Sequence, residues 1–555
     1  MVRGSWFPTR LLHLVRDSHG ILVKLIISKE ASIRGRRYMT LSHRWPINAD
    51  HRLMLTKSTF EQLQRGIDYR KLPRSFQESM ELACCLGVNY IWIDSLCIHQ
   101  DKDDLSDWEK EAVTMHKVYS HSFLNISATF SYDGTESLFN RPNTWTTTRP
   151  TQVKVNVNGT PRHAHLIPGD IWNDEITDAP LNKRGWVFQE RFLARRVLHF
   201  GRSQLAWECC EWEALEMFPN GVPFTFIAGS NSKSSVIAAR NRIRYKPCLN
   251  SNHKASMALY DSSTVTEFIK WRNGIVEDYS KCQFTFYRDK LVAFGGVARS
   301  NILTLDSPDR YIVGMWERSM IYDLAWQRIH TMALSPPARQ TQELHVPSWS
   351  WASFRGEVVF PHILPTKSMS HFATLVDIIG TPDQELQVDQ GSFKGVSLQL
   401  ECFVFEISLL PSDDEEINGI KLNQFNMVFM QENAVLEDSV GTVIDLDKDD
   451  PSIPRGKTLQ MLAQEGRLFL VPLYATFNLR AMIVARLGHT GRTYCRLGAF
   501  EVAIYWESFE PTDIGQSSRQ PGWGANLQAV GLKSFMDKTP KVLNGNAHYQ
   551  RIEII

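Results

Sequence analysis

The feature that most constrains the fold is a short apolar run that ends at a carboxylate. Residues 90–93 read Tyr-Ile-Trp-Ile, and Asp94 follows directly. A run without polar alternation is typical of a strand that is buried on both faces, as in the interior of a parallel sheet. Because parallel strands need long crossover connections, helices should flank this strand in the sequence. The run therefore predicts an α/β domain.

The neighbouring sequence supplies those helices and two further strands. Residues 38–42 and 123–127 are typical of strands. Between them, residues 72–86 carry apolar side chains three or four positions apart and stop at Gly87, and a second such segment begins near Trp108. Strand, helix, strand, helix, strand in this order predicts parallel pairing with right-handed crossovers.

The pattern of predicted helices and strands changes twice along the chain. The chain has 555 residues, more than the roughly 250–300 that one hydrophobic core can serve. We predict an α/β domain over 1–205, a mixed α+β region over 206–370 and a β-rich region over 371–555. The middle region contains two helix candidates, 260–279 and 315–332. Further strands are predicted at 197–200, 396–409, 468–473, 482–487 and 498–504.

The charge balance and the apolar segments exclude several classes of protein. The chain has 61 basic and 60 acidic side chains, so it lacks the field that attracts a nucleic-acid backbone, and we expect no nucleic-acid partner. The apolar segment 21–27 is interrupted by Lys24 and is too short to span a bilayer. The first residues have no signal-peptide pattern. These observations predict a cytoplasmic protein without a membrane span.

The cysteines and histidines do not form a recognisable metal or disulfide pattern. The nine cysteines are scattered, and no CxxC pair with zinc-finger spacing occurs. This usage predicts a reducing compartment. The histidines lack acidic or cysteine partners at ligand spacing, so we predict no metal. No GxGxxG and no GxxxxGK[ST] motif is present, which argues against a phosphate-binding loop in this chain.

Three blocks of the sequence resemble, in the same order, the signature blocks of the fungal heterokaryon incompatibility (HET) domain. Residues 38–45 are similar to the first block, 90–119 to the second and 184–191 to the third. The resemblance covers about residues 35–200. Shorter phrases similar to the later regions of long HET proteins of filamentous fungi occur at 289–291, 314–316, 322–326 and 347–352.

The resemblance implies a role in fungal non-self recognition, in which HET domains trigger regulated cell death after incompatible cells fuse. It also implies distant kinship with TIR domains, and hence a TIR/flavodoxin-like parallel sheet. Some TIR domains cleave NAD at the nicotinamide–ribose bond, so NAD would be a substrate and not a permanently bound cofactor. TIR-like domains generally need self-association, which suggests a homo-oligomer or a second protein of the incompatibility system as partner. This kinship is an analogy between folds.

Three carboxylates are candidates for catalysis. TIR-type glycohydrolases use a glutamate on the helix that here begins near Trp108, and its spacing favours Glu111 over Glu109. A carboxylate there would stabilise the positive charge that develops on the ribose; alternatively, acids near a helix start face water and favour the helix dipole. Asp94 follows a strand at the carboxyl edge of the sheet, where ligands bind. It would hold a ribose hydroxyl or, alternatively, cap the following turn.

The candidate binding residues lie at the same edge or in the third block. Trp45 would stack on a nicotinamide or adenine ring, or pack beneath a loop. Arg184 would clamp a pyrophosphate, or fasten the third block to the sheet by pairing with Asp94 or Glu190. The predicted binding residues are Ser42, His43, Trp45, Ser95, Gln100 and Arg184.

Two nucleophile arrangements have weaker support. Ser42, His43 and Asp94 would form a hydrolase triad, but the GxSxG elbow is missing. Cys97 could pair with His99, although a cysteine after a buried strand is more typical of a core. Two functional hypotheses therefore stand: a nicotinamide-dinucleotide hydrolase, or a non-catalytic signalling module whose signature blocks are buried scaffolding.

Overall fold

The chain divides into two compact units in a computed structural model. One comprises residues 1–308 with 386–391, and the other 309–385 with 392–555. The boundaries predicted at 205 and 370 stay predictions. The structure describes residues 6–139, 151–223, 271–302, 309–329, 346–361, 370–380, 393–428, 459–503 and 548–555, except for 19, 32, 34–35, 46–52, 168, 210–211, 394, 407, 412–415, 418–419, 422–424, 476–477 and 489–490.

The first unit is built on a nine-stranded sheet with the strand order β11-β10-β9-β6-β3-β5-β1-β2-β4. A separate two-stranded hairpin, β7 and β8, accompanies it. The strands are β1 Arg10–Asp17, β2 Gly20–Ile27, β3 Met39–Ser42, β4 Ile67–Asp68, β5 Tyr90–Trp92, β6 Asn125–Ser127, β7 Thr151–Val157, β8 Thr160–Leu166, β9 Arg196–Phe200, β10 Leu205–Cys209 and β11 Glu213–Leu215.

The four central strands are parallel; this confirms the predicted parallel pairing of the first three and adds β9 to them. β3 pairs in parallel with β5 and β6, and β6 pairs in parallel with β9. All residues of β3 and β6 are buried, which explains their apolar character. The flanks differ from a purely parallel sheet, because β1 adds antiparallel to β5 and β10 adds antiparallel to β9. The unit is therefore α/β with a large mixed sheet.

Helices connect and cover these strands. The predicted helix after residue 72 is confirmed as α2, and Gly87 follows it with a positive φ of 70°, a conformation that glycine adopts without strain. The segment predicted near Trp108 is confirmed as α4. The helices are α1 Phe60–Arg65, α2 Arg74–Cys85, α3 Asp94–Cys97, α4 Ser106–His121, α5 Gly185–Leu193, α6 Glu277–Ser280 and α7 Asp289–Ile302, with single turns at Tyr69–Lys71, Asn173–Thr177, Leu181–Lys183 and Trp271–Val276.

One helix prediction is wrong and another is only partly described. Instead of a continuous helix, residues 315–329 form two short strands separated by a turn at Glu317–Ser319 and a helix of four residues, and 330–332 lie outside the described residues. Met315, Met320 and Leu324 are all buried, but they lie in a strand, a short helix and the residue after that helix, so burial alone produced the apolar pattern. Of the candidate 260–279, residues 260–270 lie outside the description and the remainder is helical.

Helix α7 packs against α4 and α5 at a glycine. A methyl group on Gly296 would lie 2.0 Å from Gln189 Oε1 and 2.5 Å from His116 Cβ. We expect Gly296→Ala to lower the unfolding free energy of the first unit by about 1–3 kcal/mol through overpacking, although alanine itself favours helix. Thermal unfolding checks this, with Gly169→Ala as control because no atom lies within 4 Å of its added methyl group. Equal melting temperatures for the two variants would contradict the expectation.

The second unit is rich in strands, as the sequence predicts. Its main sheet has the order β16-β23-β24-β25-β26-β18-β17, and β18 also pairs with β23, so five strands form a closed circuit of pairs. The elements are β12 Tyr311–Ile312, β13 Met315–Trp316, α8 Met320–Asp323, β14 Gln327–Arg328, β15 Val358–Val359, β16 Ser370–His371, β17 Ala373–Ile379, β18 Ser397–Glu406, β19 Ser408–Pro411, β20 Glu416–Ile417, β21 Ile420–Lys421, β22 Phe425–Val428, α9 Leu459–Gln464, β23 Leu468–Ala475, β24 Asn478–Arg486, β25 Thr493–Ala503 and β26 His548–Ile554, with single turns at Glu317–Ser319 and Trp351–Ser353.

Three of the shorter phrases noted in the sequence meet inside the second unit. The Trp326 indole N–H donates to the carbonyl of Trp349 over 2.9 Å. The Trp351 indole donates to the carbonyl of Gly314 over 2.8 Å. All three tryptophans are buried, so these phrases form part of the core.

Within the described ranges of both units, no helix is long and apolar enough to cross a membrane.

Candidate functional site

The carboxyl ends of β3 and β5 bring the first two signature blocks together. The Trp45 indole N–H donates to Asp94 Oδ2 over 2.9 Å. The other carboxylate oxygen of Asp94 accepts the backbone N–H of Ser95 over 2.7 Å, and His43 Nδ1 lies 3.7 Å from it. Because β3 and β5 are parallel neighbours, residues that follow each strand meet at one edge of the sheet.

The third block joins the same edge through two contacts. Arg184 Nη1 donates to the backbone carbonyl of His43 over 2.9 Å. The Ser42 hydroxyl donates to Glu190 Oε2, and Ser42 Oγ accepts the side-chain amide of Asn125 over 3.0 Å. The three blocks therefore converge, as their positions in the sequence predict. Tyr119 of α4 reaches the same place through a hydrogen bond to Glu190. We call Ser42, His43, Trp45, Asp94, Tyr119, Arg184 and Glu190 the edge cluster.

Glu190 is the most strongly perturbed carboxyl group of the cluster. It is 6% exposed, and this burial raises its pKa to about 7, with the nearby charge of Asp94 acting in the same direction. Hydrogen bonds from Ser42 and Tyr119, and the charge of Arg184, lower the pKa but do not offset the burial. A carboxyl group with this pKa exchanges protons readily near neutral pH. Such perturbed groups are enriched at functional sites.

His43 is a buried imidazole beside that carboxyl group. Burial lowers its pKa, and Arg184 acts in the same direction, whereas Asp94 and the carbonyl of Leu41 raise it. The ring meets Phe76 edge-on at a centroid distance of 4.8 Å. Neither ring nitrogen makes a hydrogen bond of ordinary geometry to a residue that the structure describes. A buried imidazole whose ring nitrogens make no hydrogen bond of ordinary geometry is unusual in a core.

Solvent reaches the cluster at Asp94 and Trp45. The Asp94 side chain is 26% exposed, and Trp45 is partly exposed. By contrast, Ser42, His43 and Glu190 are buried behind them. Asp94 is therefore the carboxylate of the cluster that a ligand meets first.

The two candidate glutamates of α4 lie elsewhere. Glu111 is buried, which raises its pKa, and it accepts a hydrogen bond from Thr9 close to the ion pair between Arg10 and Asp107. Its hydrogen-bonding partner and its nearest charges among the described residues are outside the edge cluster. It also precedes Tyr119 by eight positions, which is about 12 Å along a helix axis. Glu109 is exposed on the outer side of the helix.

Ser95, Gln100 and Cys97 occupy the segment after Asp94. Ser95 is buried, and its hydroxyl has no hydrogen-bond partner among the described residues. The Gln100 side chain donates to the backbone carbonyl of Ile98 over 3.1 Å and so makes a hydrogen bond within its own loop. Burial raises the pKa of the Cys97 thiol to about 12. Since the thiolate is the reactive form, this cysteine is inert at neutral pH.

Two residues that hydrogen-bond within or to the edge cluster are not predicted as site residues from the sequence. Tyr119 is one of the apolar-face positions of α4, so its hydroxyl contact to Glu190 is hidden in the helical pattern. Asn125 is a polar residue in an otherwise apolar strand, and it also accepts a hydrogen bond from Thr40 over 2.9 Å. A lone amide in a buried strand is the signal that would have found it.

No trio of His, Cys, Asp or Glu side chains that would hold a metal occurs in the described part of the chain.

The edge cluster lies entirely within the match to a known family. The model of the family described as heterokaryon incompatibility protein (HET) matches residues 38–190. The chain contains a HET domain. This HET domain thus spans all three signature blocks, from the start of the first to Glu190 in the third. No curated protein and no solved structure matches the chain.

Proposed function

We propose that this protein acts in heterokaryon incompatibility, the fungal response that ends in regulated cell death, and that its HET domain hydrolyses a nicotinamide dinucleotide. The HET match supports the first part. The observation that carries the second is the meeting of two unlike carboxyl groups, Asp94 open to solvent and Glu190 buried with a pKa of about 7. Paired carboxyl groups in contrasting environments are typical of enzymes that cleave glycosyl bonds.

The chemistry that we propose needs one anion and one water molecule. The bond between C1′ of the ribose and the nicotinamide nitrogen breaks, and nicotinamide leaves with the electron pair. The Asp94 carboxylate stabilises the positive charge left on the ribose and accepts the proton of the water that attacks C1′. The products are nicotinamide, ADP-ribose and a proton. Trp45, held by Asp94, provides an aromatic face for the nicotinamide ring.

We place this activity in the cytoplasm and expect it to require a second copy of the chain or another incompatibility protein. TIR-like kinship is the reason for this expectation, because self-association completes the pocket in such domains. Size-exclusion chromatography before the assay would establish which oligomer is being measured.

Release of nicotinamide by the purified protein tests the catalytic proposal. We expect Asp94→Asn to lower the rate by about 100-fold or more, the usual contribution of a general base. Glu111→Gln is the matched control, since Glu111 lies with Thr9, Arg10 and Asp107, and it should retain activity within a few-fold. If Glu111→Gln loses activity and Asp94→Asn keeps it, the catalytic carboxylate is Glu111. Intact NAD with an oligomeric wild-type protein would refute hydrolysis altogether.

The burial of Ser42, His43 and Glu190 favours a second candidate, a non-catalytic signalling module. In that case the edge cluster fastens the three blocks together and the domain acts through binding. Cell death in a fungal host separates the two candidates. A hydrolase predicts that Asp94→Asn abolishes killing while the protein stays folded, whereas a module predicts that killing survives this substitution.

A further inference from the structure

A concave site lies at the same edge of the sheet, apart from the edge cluster. It is a cleft of about 390 Å³ between the loop that follows β6 and the loop that follows β9. This volume is within the range of roughly 300–1,000 Å³ found for small-molecule sites. Both loops leave the carboxyl ends of parallel strands, where α/β proteins bind ligands. We call it the β6–β9 cleft; the lining residues that matter are Phe130, Ser131, Tyr132, Ser137, Phe200 and Arg202.

The wall formed by residues 128–139 is held in place by its own hydrogen bonds. Glu136 Oε2 accepts the backbone N–H of Tyr132 over 2.7 Å, and Ser131 Oγ accepts that of Gly134 over 3.0 Å. Glu78, which is buried in α2, accepts the Ser137 hydroxyl over 2.7 Å and the adjacent backbone N–H over 2.6 Å. The cleft is therefore preformed, which lowers the entropic loss on binding.

Aromatic rings and one arginine give the cleft its chemistry. Phe130 and Tyr132 meet edge to face at 5.3 Å, and Tyr132 is 55% exposed although it is a large ring. The Arg202 guanidinium lies 5.6 Å from the centroid of Phe130 and is exposed. Within the described part of the chain, Arg202 makes no ion pair, whereas the carboxylate of Glu136 is engaged by the Tyr132 backbone. An unpaired guanidinium beside ring faces suits an anion attached to a planar group.

We propose that the β6–β9 cleft binds a small ligand in which a planar ring carries an anionic group. The ring packs on Phe130 and Tyr132, and the anion pairs with Arg202. The Ser131 hydroxyl, whose oxygen accepts the Gly134 N–H, can donate its own proton to the ligand. A nucleoside monophosphate and an aromatic carboxylate share this chemistry. None of the residues that line the β6–β9 cleft belongs to the edge cluster, so ligand binding in the cleft is independent of hydrolysis at that cluster.

Isothermal titration of the full-length protein tests the site, with adenosine monophosphate and 4-hydroxybenzoate as the two probes. We expect saturable binding of at least one probe, and the tighter of the two identifies the source of the anion. Arg202→Ala should weaken that binding about tenfold or more, as expected for loss of a charge-assisted contact. Arg162→Ala is the matched control, since Arg162 is exposed on the β7–β8 hairpin, and it should bind as the wild type does. Adenosine, which lacks the anion, and inorganic phosphate, which lacks the ring, should each bind more weakly than the monophosphate.

Hydrogen exchange provides a second readout that does not depend on a substitution. Binding should slow exchange at the backbone N–H groups of residues 128–139. The proposal is overturned if neither probe binds saturably at millimolar concentration, or if Arg202→Ala binds as tightly as Arg162→Ala. It is also overturned if the probe protects other segments and leaves 128–139 unchanged.

Discussion

Replacing Glu208 with alanine is expected to lower the unfolding free energy of the first unit by about 3–5 kcal/mol, the usual loss when one partner of a buried ion pair is removed. Glu208 is 2% exposed in β10. Its Oε2 accepts Arg191 Nε over 2.8 Å and lies 2.9 Å from His199 Nε2. The other ring nitrogen of His199 is 2.9 Å from the Thr129 hydroxyl. The substitution therefore leaves a partly buried guanidinium without this carboxylate partner and the buried imidazole without one of its hydrogen bonds.

Hydrogen exchange is the sharper measurement here, because it reports on the first unit separately when a chain of two compact units unfolds in more than one transition. Hydrogen exchange of peptides from β9 and β10 reports the loss directly. Glu208→Gln keeps an oxygen acceptor and should lose less than the alanine variant. Glu61→Ala removes an exposed pair with Arg65 and should change stability by less than about 1 kcal/mol. If Glu208→Ala behaves like Glu61→Ala, the buried network does not stabilise the unit.

The same network has a role in positioning the edge cluster. Arg191 is the residue after Glu190 near the end of α5, and it pairs with β10 while Glu190 meets Ser42 at the end of β3. One helix turn is thereby fixed to the sheet at two points. Loss of Glu208 should loosen the cluster as well as destabilise the unit.

The second large effect concerns pH. The unfolding free energy of the wild type is expected to fall by about 3 kcal/mol as the pH rises from about 4.5 to 7, and Glu190→Gln is expected to abolish this fall. The pKa of Glu190 is raised from 4.5 to about 7 in the folded protein, so the folded state binds its proton more tightly than the unfolded state. The contribution of this group is then greatest below the unfolded pKa and is lost as the pH rises through the folded pKa.

Comparison with the variant isolates this group from its neighbours. The pKa of His43 is lowered by burial. Its contribution to the unfolding free energy therefore rises with pH up to about 6.5, which is opposite in sign to the contribution of Glu190. His43 is present in both proteins, and its contribution largely cancels in the difference. Thermal unfolding at about pH 5, 6, 7 and 8 should show the wild type losing stability relative to Glu190→Gln. Glu109→Gln, at an exposed position, should follow the wild type; parallel curves for all three proteins would contradict the raised pKa.

The sequence predicts the centre of the first sheet better than its flanks. The strands predicted at 38–42, 90–93 and 123–127 are observed as Met39–Ser42, Tyr90–Trp92 and Asn125–Ser127, in the centre of the sheet, where strands buried on both faces produce continuous apolar runs. β2 is buried on alternate residues only, but Leu22 and Ile26 on its other face hide the alternation that would have identified it. The flanking strands are antiparallel additions, which no local pattern specifies.

The β7–β8 hairpin illustrates a signal that has two meanings. Asn158 and Gly159 both adopt positive φ, at 52° and 81°, which is the conformation of a tight hairpin turn. In the sequence the same residues are also the start of a glycosylation sequon. In β7, Val153, Val155 and Val157 alternate with polar residues, but both strands are largely exposed, so this alternation does not mark a core face.

The candidate site could be anticipated in outline only. The order of the three blocks predicts that Ser42, Asp94 and Arg184 converge, and they do. The contact of Ser42 with Glu190 joins residues 148 positions apart, and its burial depends on α5 lying over the sheet, which no local pattern reveals. The proton affinity of Glu190 follows from that burial, so it too is absent from the sequence pattern.

The mixed flanks of the sheet have a practical consequence for anyone who expresses the HET domain alone. The family match runs over 38–190, whereas β1 covers one side of β5, and β9 covers the outer side of β6. A fragment trimmed to the match would expose unpaired backbone groups along both borders, which favours aggregation. It would also lack α7, which packs on α4 and α5. The segment that matches the family model is smaller than the compact unit around it, and expression boundaries are better drawn near those of the unit, at residues 1 and 308.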